Sequence, residues 1–104
     1  MTIAKTQISL QSINQSENIN VLNLEVNVEK SIIVPSGIKT VFFNVIPSTN
    51  IYCKINGTAL IPGSSDITDG SASEPNPSAR IVTEGDEISL ISGSACKVFI
   101  SFYE

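Results

Sequence analysis

Few side chains in this sequence could do chemistry. Asp66, Asp69 and Glu74 share one polar stretch, and Glu84, Asp86 and Glu87 surround Gly85. A pair of carboxylates is the acid/base option such residues offer. Neither group has the apolar surroundings that lift a carboxyl pKa into a working range. Both read as solvated loop and turn charges. Asp66, Asp69 and Glu74 are also hard oxygen donors of the kind that hold Ca²⁺, but the run DITDG does not have the spacing of a helix–loop–helix calcium loop.

The sequence contains no histidine. That removes Ser–His and Cys–His nucleophile pairs and every histidine-containing metal site. Cys53 and Cys96 are the only cysteines, too few to close a four-ligand zinc site alone. Each falls in phase with apolar neighbours, Cys53 with Ile51 and Ile55, Cys96 with Val98 and Ile100, which reads as two small buried hydrophobes. A disulfide would need their strands to be adjacent, in a compartment that looks reducing. No glycine-rich turn leads from a strand into a helix, so no phosphate cradle is expected. Asn14-Gln15-Ser16 and Asn56-Gly57-Thr58 match the glycosylation sequon, which carries weight only behind a secretory signal. The residues therefore predict no catalytic, cofactor or metal site, and a protein that is not an enzyme.

What remains is the scaffold. At 104 residues the chain fits one domain, 1–104, able to bury roughly two-thirds of its unfolded surface in a single two-layer core. Its apolar set is rich in Ile and Val, whose branched side chains suit a pleated sheet better than a helix. No segment shows the helical apolar period. Instead, Leu22, Leu24, Val26 and Val28 alternate with polar residues over Ile19 to Lys30, which predicts one strand with a core face and a wet face. Ser31 to Val34, Ile38 to Ile46, Ile51 to Asn56, Ser78 to Thr83, Glu87 to Ser92 and Ala95 to Tyr103 read as further strands. Asn56-Gly57 carries a strong two-residue hairpin signal, with the chain continuing as strand through Thr58 to Ile61. Pro62 to Pro77 reads as a long loop, the length at which loops usually make contacts. Residues 1–18 read as a weak first strand or an extended N-terminal arm. The expected fold is all-β: a compact antiparallel β-sandwich or jelly-roll-like barrel of about eight to nine short strands.

The surface is unusual in charge. Charged residues are 15% of the chain, against about 25% typically, and charged groups are what interface cores lack. The net charge of −4 and six scattered basic residues argue against nucleic acid and against a basic membrane-binding helix. No apolar run reaches the roughly 20 residues of a membrane span. The first ten residues lack a charged-then-apolar signal pattern, so synthesis in a cytoplasm is expected. Phe42, Tyr52, Phe99 and Tyr103 fall on the outward phase of their strands. Either a loop or second sheet covers them, or they form a subunit contact or a sugar-stacking platform.

From Ile38 onward the sequence resembles small β-rich virion proteins of tailed bacteriophages. The resemblance rests on the strand after Pro35-Ser36-Gly37, the strand Ile51 to Asn56, the Ser/Gly/Pro-rich loop, IVTEGDEISLIS, and the closing SACKVFISFYE. It implies a β-sandwich or jelly-roll fold and a capsid decoration or cement role. The implied partners are a major capsid protein and other copies of the chain, most often in a homotrimer, with the virion as its location. The interface residues expected on this reading are Phe42, Tyr52, Phe99, Tyr103, Asp66, Asp69 and Glu74. The alternative is a carbohydrate- or receptor-binding module of a phage head or tail fibre, using Tyr52 or the 62–77 loop.

Overall fold

The computed structural model describes residues 15–104. Among these it contains eight strands: β1 (Asn18–Leu24), β2 (Lys30–Ile33), β3 (Thr40–Ile46), β4 (Ile51–Ile55), β5 (Glu74–Pro75), β6 (Ala79–Ile81), β7 (Glu87–Ser92) and β8 (Cys96–Tyr103). All pairings are antiparallel. The first sheet runs β1-β8-β3-β6 and the second β2-β7-β4-β5. The pairs β1·β8, β2·β7, β3·β6 and β4·β5 are the rungs of one long hairpin with its tip between β4 and β5. Rolling that hairpin up adds β8·β3 and β7·β4 and divides it between two sheets. The all-β sandwich expected from the sequence is therefore present, with the winding of a jelly roll.

Period-2 alternation builds the core. Val41 on β3 and Cys96, Val98, Ile100 and Phe102 on β8 point inward from the first sheet. Ile51 and Cys53 on β4 and Ile88 and Leu90 on β7 meet them from the second. Phe43 and Val45 pack on this cluster as partly buried residues. Both thiols are free and buried. Burial pushes the Cys53 thiol up to about 11, so it stays protonated at neutral pH and is a packing group rather than a nucleophile.

Two side-chain contacts tie the sheets together at their edges. Arg80 on β6 makes an ion pair with Glu74 on β5, its Nε donating to Oε1 at 2.8 Å. On the other side Lys30 Nζ of β2 donates to the backbone carbonyl of Asn23 on β1 at 2.6 Å.

Four sequence expectations need correction. The strand expected over Ile19 to Lys30 stops at Leu24. Asn27 takes a positive φ of 62° and its N–H bonds Ser92 O at 2.8 Å, so Val26 and Val28 lie in a turn and are exposed. Their alternation continues the pattern of β1 but not its backbone. Asn56-Gly57 does not make a two-residue hairpin, and Thr58 to Ile61 is not a strand. Asn56 does adopt φ 59°, but its polar groups face β7. Its N–H donates to Glu87 O at 2.7 Å, its Oδ1 accepts Glu87 N–H at 2.9 Å, and its Nδ2 donates to Asp86 Oδ1 at 2.9 Å. The turn launches a crossing loop instead. Finally, the loop expected over 62–77 contains β5, two residues paired with Tyr52 and Cys53. Of the arm expected over 1–18, residues 1–14 lie outside the described residues. Ser16 is buried, its Oγ donating to Phe102 O at 2.7 Å, and Asn18 already belongs to β1.

Candidate functional site

The two sheets treat their outer faces differently. On β7, Ser89 and Ile91 sit on the outward phase yet are 0% and 7% exposed. The segment after Asn56 covers Ser89. Ala59 is buried and its N–H donates to Ser89 Oγ at 2.8 Å. Ser89 Oγ in turn donates to Glu29 Oε2 at 2.5 Å. Leu60 N–H bonds Ser73 Oγ at 3.0 Å, and Lys54 Nζ donates to Ser71 O. The long loop is thus strapped over the second sheet by its own hydrogen bonds. Ser89→Ala should leave the buried Ala59 N–H without a partner, a loss of about 1–3 kcal/mol. Urea unfolding should show that loss, with faster proteolytic cleavage between 62 and 70. Unchanged cleavage would mean that Ser89 does not hold the strap.

The first sheet has no such cover among the described residues. Its outward phase carries Ile19 and Val21 on β1, Phe99, Ser101 and Tyr103 on β8, Phe42, Asn44 and Ile46 on β3, and Ala79 and Ile81 on β6. Strand register sets them in rows: Val21–Phe99–Asn44, Ile19–Ser101–Phe42–Ala79, and Tyr103–Thr40–Ile81. Phe42 and Tyr103 pack edge to face with centroids 5.2 Å apart, a geometry that fixes both rings. Ile19, Val21, Ile46 and Ile81 are exposed, Ile81 at 87%. A fourth row, Asn23–Lys97–Ile46, closes one end and holds the only charged residue on the outward phase of these strands, Lys97, whose Nζ donates to Asn23 Oδ1 at 2.7 Å. Strand spacings of about 4.8 Å and rises of about 3.3 Å give the face an area on the order of 450 Å². That area includes the polar Asn23, Thr40, Asn44, Lys97 and Ser101; the apolar remainder is the kind of surface patch that is often functional on soluble proteins.

The residues singled out from the sequence divide between the faces. Phe42, Phe99 and Tyr103 come together on the first sheet. Tyr52 lies on the opposite side of the sandwich, half-buried, with Ile91 and Pro75 as its strand neighbours. Asp66 and Asp69 are exposed in the strap, and Glu74 is engaged by Arg80. Asp69 Oδ1 accepts Ser71 N–H at 3.1 Å and Ser71 Oγ–H at 2.6 Å, which holds its carboxyl below the usual carboxylate range. That is a local turn, not a ligand set. Among the described residues no three His, Cys, Asp or Glu side chains lie close enough to hold a metal ion. Asp86 is likewise spoken for: Asn56 Nδ2 and Thr83 N–H both bond it and lower its pKa.

Sequence reasoning missed Ile19, Val21, Ile46 and Ile81. A signal was present. In NINVLNL both phases of β1 carry apolar residues, which a strand exposed on one face does not require.

Comparison with known protein families, with curated proteins and with solved structures returns no match. Among the described residues no helix is long and apolar enough to cross a membrane.

Proposed function

We propose that this chain is a structural virion subunit, a decoration or cement protein that binds a phage head through the outer face of its first sheet. The observation that carries this reading is that face: a surface of aromatic and β-branched side chains interspersed with Asn23, Asn44 and Ser101 and with one charge at its margin, opposite a second sheet whose β7 the chain covers itself. The chain straps the middle of one sheet and, among the described residues, leaves the outer face of the other uncovered, which suits that face to a protein contact. Aromatic anchors in an uncharged setting are what interface centres contain.

On this reading Phe99 is the centre of the contact, flanked across the strands by Val21 and Asn44, with the Phe42–Tyr103 pair beside it. The partner is the major capsid protein, bound where neighbouring capsid subunits meet, so that the added buried area links them and favours the assembled shell. The chain acts by surface complementarity and catalyses nothing. Association with further copies of itself is part of the proposal. A glycan-binding role would rest on Tyr52, which is half-buried on the strapped side rather than presented as an open stacking platform, or on the 62–77 loop.

The test is co-sedimentation of the purified protein with empty, expanded heads of its own phage. Saturable binding at regular positions on the head is expected. A protein that never sediments with heads, yet binds a glycan array, would replace this reading with the receptor-binding one.

A further inference from the structure

Each sheet of a sandwich has two edges, and an unprotected edge pairs with other chains. Three of the four edges here are guarded. β6 has three residues and carries Arg80 in an ion pair; β5 has two, one of them Pro75; β2 has four and begins with Lys30. Short strands, charges and proline are the usual protections. β1 differs. It is seven residues long, NINVLNL, without charge, proline, glycine or bulge. Among the described residues it pairs with β8 alone.

The direction of its free groups follows from one contact. The Asn23 carbonyl accepts Lys30 Nζ from the second sheet, so it points away from β8. In an antiparallel ladder the N–H and C=O of one residue point to the same side, and alternate residues share that side. Ile19, Val21 and Asn23 therefore present their backbone groups at the open edge.

We propose that β1 pairs antiparallel with β1 of a second copy, about a two-fold axis through Val21, joining the two first sheets into one sheet of eight strands. This goes beyond the head-binding role but rests on it for its purpose. In this register Val21 meets Val21, and Ile19 and Asn23 of each copy meet Asn23 and Ile19 of the other. All the outward-facing free groups are then opposite one another, which is the hydrogen-bonded arrangement of an antiparallel pair. The alternation also matches: Ile19, Val21 and Asn23 stay on the outer face, and Asn20 meets Leu22 on the inner one. Lys30 must leave the Asn23 carbonyl, a small rearrangement for an ammonium on a flexible stem.

The occupant is a second copy because the area requires doubling. A stable interface buries about 800 Å² per partner, and one outer face supplies on the order of 450 Å². Two faces joined through β1 reach that size as one continuous surface with a single charge, Lys97, in each copy. Just beyond the paired strands, the exposed Glu17 of each copy approaches Glu25 of the other. Added salt screens that repulsion, so association should tighten with salt.

The experiment is sedimentation equilibrium of the full chain across a concentration series, with hydrogen exchange on the same samples. A dimer or other even-numbered assembly is expected, with the Ile19, Val21 and Asn23 amides protected in step with association. Val21→Pro removes an N–H that faces only the second copy, and proline is tolerated on edge strands; it should give a folded monomer. Val21→Lys, at a position 42% exposed, should do the same by placing charge on the two-fold axis, and stands in should the proline variant fail to fold. Four results would overturn the pairing: a monomer or a trimer at all concentrations, undiminished association of the folded variants, weaker association in salt, or amide protection that persists at dilution, which would mean that the chain covers this edge itself. A monomer or trimer that still binds heads leaves the head-binding role standing, whereas a dimer that ignores heads removes that role and keeps the pairing.

Discussion

Phe99→Ser is expected to lower the affinity for heads by about 30-fold or more while leaving the fold intact. The size follows from what aromatic anchors contribute: losing one at an interface centre costs roughly 2 kcal/mol or more, and each 1.4 kcal/mol is tenfold in affinity. The sparing of the fold follows from position. Phe99 lies on the outward phase of β8, between Val21 and Asn44, and is only partly buried in the isolated chain. Exchanges at such strand sites span about 1 kcal/mol. Head co-sedimentation and urea unfolding of the same preparation separate the two effects. Equal loss of binding and stability would make Phe99 a core residue only.

The neighbouring residue should behave in the opposite way. Ile100 is fully buried and sits mid-strand between Asn20 and Phe43. It belongs to the cluster that joins the two sheets. Ile100→Ala removes three carbons from a close-packed interior and leaves a cavity behind, at a cost of about 2–5 kcal/mol. Domains of this kind are stable by only about 5–15 kcal/mol. Urea unfolding should therefore show a much lower midpoint with an unchanged slope. The fraction that remains folded should still bind heads. A loss below about 1 kcal/mol would mean that the core collapses around the deletion, contrary to the packing described. One step along β8 thus exchanges an effect on assembly for an effect on folding, because successive side chains point to opposite faces.

That alternation is also why much of the fold was legible in the sequence. β3, β4 and β8 carry Val41, Phe43 and Val45, then Ile51, Cys53 and Ile55, then Val98, Ile100 and Phe102 at spacing two, and they fold as read. The pattern fails where a side-chain period outlasts its backbone. Val26 and Val28 keep the rhythm of Leu22 and Leu24 after the chain has turned at Asn27. It fails again where a turn residue serves a distant strand: Asn56 has the positive φ of a hairpin turn, but Asp86 and Glu87 take its hydrogen bonds. β5 had no local signal, since two residues with a proline become a strand only because β4 offers them an edge.

The candidate surface was legible in part for a related reason. Phe42, Phe99 and Tyr103 announce an outward apolar phase, but period alone does not tell which outward faces a loop will cover. Tyr52 has the same phase and lies on the strapped side, because Ser89 captures Ala59 and brings the loop down over β7. Asp66, Asp69 and Glu74 looked like a group in sequence. The fold gives each its own partner or leaves it in solvent, and β5 carries Glu74 away to Arg80. Ile19 and Val21 become part of the surface only once β1 is seen beside β8, where Val21 stands next to Phe99.

The most direct measurement is the co-sedimentation of wild-type protein, Phe99→Ser and Asp69→Ala with empty, expanded heads. Wild type and Asp69→Ala should bind alike, because Asp69 lies in the strap away from the first sheet, and Phe99→Ser should remain largely in the supernatant. Binding that survives Phe99→Ser and is lost with Asp69→Ala would contradict the assignment of the first sheet as the head-binding face.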